Sequence, residues 1–247
     1  MKFEFPLQQG TWIKRYKRFM VDVKLSDGSE LTVHCANTGS MKNCFVEGGK
    51  SWFWDSQNDK RKYAHSLELT ETPSGHVACV NTSRPNHLVA EAIENGTAKE
   101  LQDYEVLKTE VRYGDERSRI DILLSGGEKN IYVEVKTTTL LEKTLDGQPD
   151  ENGTTDEGVG YFPDSVSERA SKHLRELIRM KEQGHRAVIF FCVNHTGIKQ
   201  VKPADHIDSV YGQLLREADK AGVEIMAYAS HIDDNEIYLK DRLPVVL

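Results

Sequence analysis

The chain changes its hydrophobic period once, near Arg84 and Pro85, and that change limits what it can fold into. Before it, short segments of alternating apolar and polar residues follow one another between turn signals. They run Phe19 to Leu25, Glu30 to Cys35, Ser51 to Trp54, Ser66 to Thr70 and His76 to Asn81, with Ser26-Asp27-Gly28, Gly48-Gly49 and Pro73-Ser74-Gly75 between them. Alternation with period two sends successive side chains to opposite faces of a strand, so this first part predicts a small β-barrel or sandwich.

After the change, Asn86 is placed as an N-cap for Leu88, Val89, Ala92 and Ile93 at helical spacing, and Gly96 ends the pattern. Three strands are predicted next, Glu105 to Tyr113, Arg119 to Leu124 and Ile131 to Lys136, with Gly126-Gly127 as a tight turn between the last two. A helix from Asp164 to Gln183 carries Val166, Ala170, Leu174, Leu177, Ile178 and Lys181 as its stripe. An apolar strand, Ala187 to Val193, a helix from Asp208 to Ala221 and a strand from Val223 to Ala229 complete the chain. The order α-β-β-β-α-β-α-β predicts an α/β sheet covered by helices, so two domains are expected, residues 1–84 and 85–247.

Charge divides at the same place. The whole chain has 32 Lys+Arg and 39 Asp+Glu, a formal net charge of −7, which argues against a phosphate-bearing partner. Residues 1–84 hold 12 Lys+Arg and 9 Asp+Glu, whereas residues 85–247 hold 20 and 30. Five acids lie in the Gly/Asp/Thr-rich stretch Asp146 to Gly158, where the region from Lys143 to Gly160 predicts a mobile loop. The four cysteines have no C-x-x-C spacing, no apolar run reaches membrane-spanning length, and no secretory leader is legible. The cytoplasm is therefore the expected location, with no membrane partner; a homodimer is left open.

The sharpest chemical signal is Arg119-Ile120-Asp121 on one predicted strand and Val133-Glu134-Val135-Lys136 on the next. Glu134 and Lys136 share a face, with Ile131, Val133 and Val135 on the other, and Asp121 is placed opposite Ile120 and Ile122. Antiparallel pairing about the Gly-Gly turn brings Asp121 to Glu134 as a cradle for Mg²⁺, a hard cation that takes carboxylate oxygens. Lys136 beside it can orient or deprotonate a water, or stabilise charge on a phosphate.

This D-(x12)-E-x-K spacing, preceded by an acid-bearing helix and followed by a long one, resembles the PD-(D/E)XK nucleases, whose core order is α-β-β-β-α-β. The resemblance implies metal and water handling by Asp121, Glu134 and Lys136, with a further glutamate completing the cluster, Glu91 first and Glu110 second. It also turns the helix face carrying Arg169 and His173 toward the site, where a phosphate contact is expected. Over almost the whole chain, the blocks His34-Cys35-Ala36-Asn37-Thr38-Gly39-Ser40-Met41, Asn81-Thr82-Ser83-Arg84-Pro85-Asn86, Glu110-Val111-Arg112-Tyr113-Gly114, Ser118-Arg119-Ile120-Asp121 and Phe162-Pro163-Asp164 are similar to the bacterial sugar fermentation stimulation protein A family. That resemblance implies an N-terminal OB-fold barrel joined to a nuclease-like α/β domain, non-specific DNA binding and a regulatory role in sugar (maltose) metabolism. Ala36 departs from the family's usual Pro before Asn-Thr-Gly, and Asp146 to Gly158 resembles an insertion.

A barrel that binds nucleic acid agrees with Lys14, Arg15, Tyr16, Lys17 and Arg18, where cations stand among the aromatics Trp12, Tyr16 and Phe19. The same residues equally describe a basic edge strand whose aromatics serve the core. Asn37 and Thr38 offer donors to phosphate, or fix a turn through local side-chain bonds. The sequence is thus read first as a largely sequence-independent DNA-binding protein with a regulatory outcome. An Mg²⁺-dependent nuclease acting through Asp121, Glu134 and Lys136 is the second reading, and an interaction or RNA-processing module the third.

Overall fold

The alternating segments of the first part close on themselves in the computed structural model, which describes residues 1–115, 118–142 and 158–247. Strands β1 (Gln8–Tyr16), β2 (Met20–Lys24), β3 (Glu30–His34), β4 (Lys50–Asp55), β5 (His65–Glu71) and β6 (Val77–Cys79) form one sheet in the order β3-β2-β1-β4-β5-β6. A β3–β5 pairing at His34 and Ser66 closes the first five into a barrel, the OB-like architecture expected. Trp12, Val21, Val23, Val33, Phe53 and Leu67 fill it, each almost wholly buried. The basic strand is therefore β1, paired on both sides with β2 and β4, and it is no edge strand.

Helix α1 (Arg84–Glu94) starts with Pro85 in its first turn and Ser83 at the N-cap. Asn86 lies inside the helix instead of capping it, which frees its side chain for another partner. The strands β7 (Val106–Tyr113), β8 (Ser118–Ser125), β9 (Ile131–Thr138), β12 (Arg186–Val193), β14 (Glu224–Ile232) and β15 (Ile237–Leu243) build a sheet in the order β15-β14-β12-β9-β8-β7. Helices α2 (Glu168–Glu182) and α3 (Ser209–Lys220) follow β9 and β12, giving the expected α-β-β-β-α-β succession. Short strands β10 (Leu140–Leu141), β11 (Val159–Phe162) and β13 (Gln200–Pro203) form a second, smaller sheet that the sequence reading did not foresee, as it did not foresee β15. The expected mobile loop lies outside the described residues except for its last positions, where Val159 and Gly160 belong to β11.

Strand β12 explains the layering. Its Val188, Phe190 and Cys192 pack in the core under α1, while Ala187, Ile189, Phe191 and Val193 pack in the core under α2 and α3. A strand covered on both faces reads as one continuous apolar run, as here. Helix α2 begins at Glu168 because the Ser167 side chain accepts from the Ala170 amide, so Val166 stays outside the stripe and is 72% exposed.

The alternation also breaks beside the two acids. Leu107 on β7 and Leu124 on β8 join the α1 core, yet Val111 and Ile120, an even number of residues away, join the α2 core. Both strands change phase between these pairs, at Glu110 and Asp121, and Glu110 has φ of +56°. The expectation that Ile120 and Ile122 share one face is thus corrected: a reversal of facing, with no change in β7–β8 register, separates them. A side chain held in the left-handed region costs on the order of 1 kcal/mol or more, and such strain concentrates at functional sites.

The barrel is keyed to the sheet by a buried carboxylate. Glu68 on β5 is fully buried and accepts from Trp54 Nε1, Asn81 Nδ2 and the Arg84 guanidinium, whose Nε lies 2.6 Å away. Arg84 is the first residue of α1, so the strand of one unit fixes the start of the helix that reaches the site of the other.

Candidate active site

Register brings the two acids together. Ile122 pairs with Val133 and Leu123 with Tyr132, so Asp121 is the next residue opposite Glu134. The ladder of backbone pairing stops at Ile122 and Val133, where the Asp121 carboxylate inserts instead, Oδ2 accepting from the Val135 amide at 2.8 Å. Oδ1 accepts from Asn86 Nδ2 of α1 at 3.0 Å.

Glu134 faces α2, as the strand alternation requires, with only 2% of it exposed. Its Oε1 accepts from Lys136 Nζ at 2.8 Å and is also bonded to His173 Nδ1 on α2. Its Oε2 is buried and has no hydrogen-bond partner among the described residues. Leaving a buried carboxylate oxygen bare costs about 1–3 kcal/mol or more, so this atom marks a place for a positive ligand. The Tyr113 hydroxyl, likewise buried without a partner among the described residues, is a component the sequence reading missed. Burial, then the negative charges of Glu134, Glu176 and Asp121, push its pKa upward, so it remains a donor.

Burial and the charge of Glu134 raise Asp121 to about pKa 6, against the opposing pull of the Val135 amide, Lys136 and Asn86. Burial alone would raise Glu134 too, but His173 and Lys136 hold it below the ordinary carboxylate value. The site therefore keeps one firmly ionised acid beside a second that ionises at a cost, the state expected of two carboxylates awaiting a cation. A pocket of about 600 Å³ opens over Asp121, lined also by Glu110, Arg119, Arg169, Lys172 and His173.

Among the acids considered for completing the cluster, Glu110 lines this pocket with Asp121. Glu91 lies elsewhere: it binds the Met1 ammonium at 2.9 Å, and that ammonium also donates to the Ile237 carbonyl on β15, which has three strands between it and β8 in the sheet. The stretch from Asn86 to Glu91 is more than one helical turn, and the helix directs Asn86, not Glu91, at Asp121. Asp121, Glu134 Oε2 and Glu110 are oxygen donors of the kind a hard divalent cation takes, and His173 beside them is bound to Glu134, but among the described residues the carboxylates that gather within 4.8 Å as a metal-ligand group are Asp233 and Glu236, with His231, and not these three.

The model for the sugar fermentation stimulation protein N-terminal OB domain matches residues 13–80, and that for the sugar fermentation stimulation protein RE domain matches residues 83–236. A sugar fermentation stimulation protein homolog of Teredinibacter turnerae is 54% identical over 247 residues, covering 100% of both chains. One from Saccharophagus degradans is 52% identical over 246 residues with the same coverage. The chain belongs to the sugar fermentation stimulation protein family. A solved family structure, Pyrococcus furiosus SfsA in complex with Ca²⁺, superposes with a TM-score of 0.83 at 27% identity, covering 100% of this chain and 98% of that one.

In this family member the barrel residues named from sequence take unequal places. Arg15 is committed to backbone: its Nε donates to the Arg18 carbonyl, and its Nη2 to the carbonyls of Asn37 and Gly39. Tyr16 donates to Asp22 Oδ1, and Lys14 lies 3.6 Å from Asp22 Oδ2. Lys17 and Arg18 form the exposed β1–β2 turn, both with positive φ. Asn37 Oδ1 accepts from the Gly39 amide and so fixes its own turn, while Thr38 is exposed. On α2, Arg169 is exposed at the pocket and His173 is buried against Glu134, a partner that the helix spacing could not reveal. Among the described residues, no helix is long and apolar enough to cross a membrane.

Proposed function

We propose that this protein engages DNA along the phosphate backbone, largely without sequence preference, and hydrolyses a phosphodiester at Asp121, Glu134 and Lys136 with a divalent cation, Mg²⁺ by preference. The observation that carries the reading is the bare Oε2 of buried Glu134 beside an Asp121 whose pKa is raised by its neighbour's charge. Asp121, Glu134 and Glu110 would hold the ion, which when bound supplies Lewis acidity toward a phosphate oxygen. The Ca²⁺ present with Pyrococcus furiosus SfsA supports an oxygen-ligated divalent ion in this family.

The chain's own groups divide the remaining work. His173 and Lys136 bond to one oxygen of Glu134, which keeps the carboxylate ionised and leaves its other, buried oxygen without a partner among the described residues. Asn86 and the Val135 amide fix both oxygens of Asp121. Lys136 Nζ, on the same strand face, would stabilise charge at a phosphate or orient the attacking water. Four buried, unbonded cysteines support a reducing, cytoplasmic setting.

Incubation with plasmid, single-stranded DNA and RNA in Mg²⁺ or Mn²⁺, beside Lys136→Ala, tests the reading. Cation-dependent cleavage by the wild type alone supports it; cleavage by both proteins alike points to contamination and removes the support. Binding without cleavage would favour a second reading, a DNA-binding protein with a regulatory role in sugar (maltose) metabolism. The relatives' names and the bonding of Lys136 to Glu134 speak for that reading.

A further inference from the structure

Strands β7 and β8 place Arg112 directly across from Arg119. Two guanidinium groups on opposed residues of an antiparallel pair repel each other, and such like-charge pairs weaken a sheet. Here the repulsion has no internal remedy: among the described residues, Arg112, Arg119 and Arg169 make no ion pair or side-chain hydrogen bond. Arginines elsewhere in the molecule do find partners, Arg84 with Glu68, Arg186 with Glu224 and Arg216 with Asp205. Arg112, Arg119 and Arg169 are also gathered, unlike Arg18, whose side chain has no such partner among the described residues but lies on the barrel. Arg119 and Arg169 line the pocket over Asp121, and Arg112 and Arg119 line a neighbouring pocket of about 630 Å³. Arg119 is common to both and stands two residues from Asp121 on the same strand.

We infer that Arg112, Arg119 and Arg169 form the track that receives the DNA phosphate backbone, and that this rim of the α/β domain, not the β1–β2 turn of the barrel, supplies most of the electrostatic affinity. The inference rests on the proposed function and deepens it by placing the polyanion. Guanidinium groups suit the task because each offers several donors in a planar fork that matches phosphate oxygens. A phosphate placed between Arg112 and Arg119 turns their repulsion into a shared attraction. The same polyanion continues past Arg119 and Arg169 to Asp121, where a bridging cation lets phosphate and carboxylates approach. The turn residues Lys17 and Arg18 are at the surface of the other unit, and Arg15, Tyr16 and Lys14 beside them are bound to internal groups.

The test is duplex DNA binding followed by fluorescence anisotropy across a salt series in Ca²⁺, for the full chain and two variants. One variant is Arg112→Gln/Arg119→Gln/Arg169→Gln; the other is Lys17→Gln/Arg18→Gln. On duplex DNA each phosphate contact contributes about 0.9 to the slope of log K against log salt. The rim variant should bind at least about tenfold more weakly near 0.1 M salt, with the slope reduced by roughly 2 to 3. The turn variant should keep nearly the wild-type affinity and slope. Melting temperatures of the two variants should equal or exceed that of the wild type, because the substituted side chains have no partners to lose among the described residues. An unchanged slope in the rim variant, with wild-type DNA binding intact, overturns the track while leaving the proposed function standing. A dominant loss in the turn variant overturns it equally and moves the interface to the barrel. Wild-type protein that binds no DNA at any salt concentration sinks both the track and the proposed function.

Discussion

Asn86 donates from Nδ2 to Asp121 Oδ1 at 3.0 Å, so the helix that leaves the barrel holds one of the two acids of the site. The same helix begins with Arg84, which is bound to Glu68 inside the barrel junction. The position of Asp121 is therefore determined partly by packing between the two units and not by its own strand alone.

Divalent cation should stabilise the folded chain by mass action. Mg²⁺ at 100 times its dissociation constant adds about 2.7 kcal/mol, several degrees of melting temperature for a chain of this size. Asp121→Asn should abolish the shift, whereas Asn86→Ala should retain it at an affinity about tenfold weaker. A full Mg²⁺ response in Asp121→Asn would place the ion elsewhere.

Glu110 couples strain to ligation. Replacing it by glycine removes a side chain from a backbone with φ of +56°, and should leave stability unchanged or raise it by up to about 1 kcal/mol. The same change should weaken the Mg²⁺-dependent shift in melting temperature. A loss of stability with full cation response would mean that Glu110 serves the sheet.

Lys136 is the cation beside the buried carboxylate of Glu134, so removing it leaves that carboxylate with the His173 hydrogen bond but without its ion pair. Breaking a buried pair in this way costs about 3–5 kcal/mol. Lys136→Ala and Glu134→Gln/Lys136→Met, compared by urea denaturation, separate structure from chemistry. The double variant should recover much of the stability lost in the single one, while metal-dependent cleavage stays absent from both.

In metal-free protein two groups oppose each other as pH changes. Asp121 has its folded pKa raised to about 6 from 3.8, so its contribution favours folding below the unfolded value and is lost as pH rises through 6. His195 is buried beside His76 and held down to about pKa 4 from 6.5 by burial first and by His76 second. It favours folding above 6.5, and that contribution is lost as pH falls toward 4. Between pH 7 and 5 in EDTA, the melting temperature of Asp121→Asn should fall more steeply than that of the wild type, and that of His195→Gln less steeply. Parallel profiles for all three proteins would remove both assignments.

Arg84→Ala should destabilise the junction by about 3–5 kcal/mol, since Glu68 is then buried without its cation. It should also weaken the Mg²⁺ response, because Asn86 sits two residues further along the same helix. Arg84→Ala with normal cation affinity would show that α1 holds Asn86 independently of the barrel.

Much of the architecture was legible because it depends on local pattern. Period-two segments, the Gly-Gly turn and the seven apolar residues from Ala187 to Val193 specify strands wherever they are placed, and the helices keep their apolar stripes. The opposition of Asp121 and Glu134 was legible for a similar reason: a short antiparallel turn fixes register, and register fixes which side chains meet. Short strands such as β10, β11 and β13 were not, since two to four residues carry too little pattern to mark a strand before a neighbour pairs with it.

Residue by residue, the sequence by itself determined an alternating strand-rich first part, the α-β-β-β-α-β-α-β order of the main elements of the second, and an acid pair with a lysine on one sheet. Tertiary structure decided which charged groups are already engaged. Glu91 went to the Met1 ammonium, Arg15 to the carbonyls of Asn37 and Gly39, and His173 to Glu134, while Asn86 turned from a cap into a support for Asp121. The physical reason is that a charged side chain carries no local signature of its partner: Met1 and Glu91 are 90 residues apart, and Glu68 and Arg84 are 16. Only the folded chain brings such groups within hydrogen-bond reach, and only there does the bare oxygen of Glu134 stand out from the acids that are satisfied.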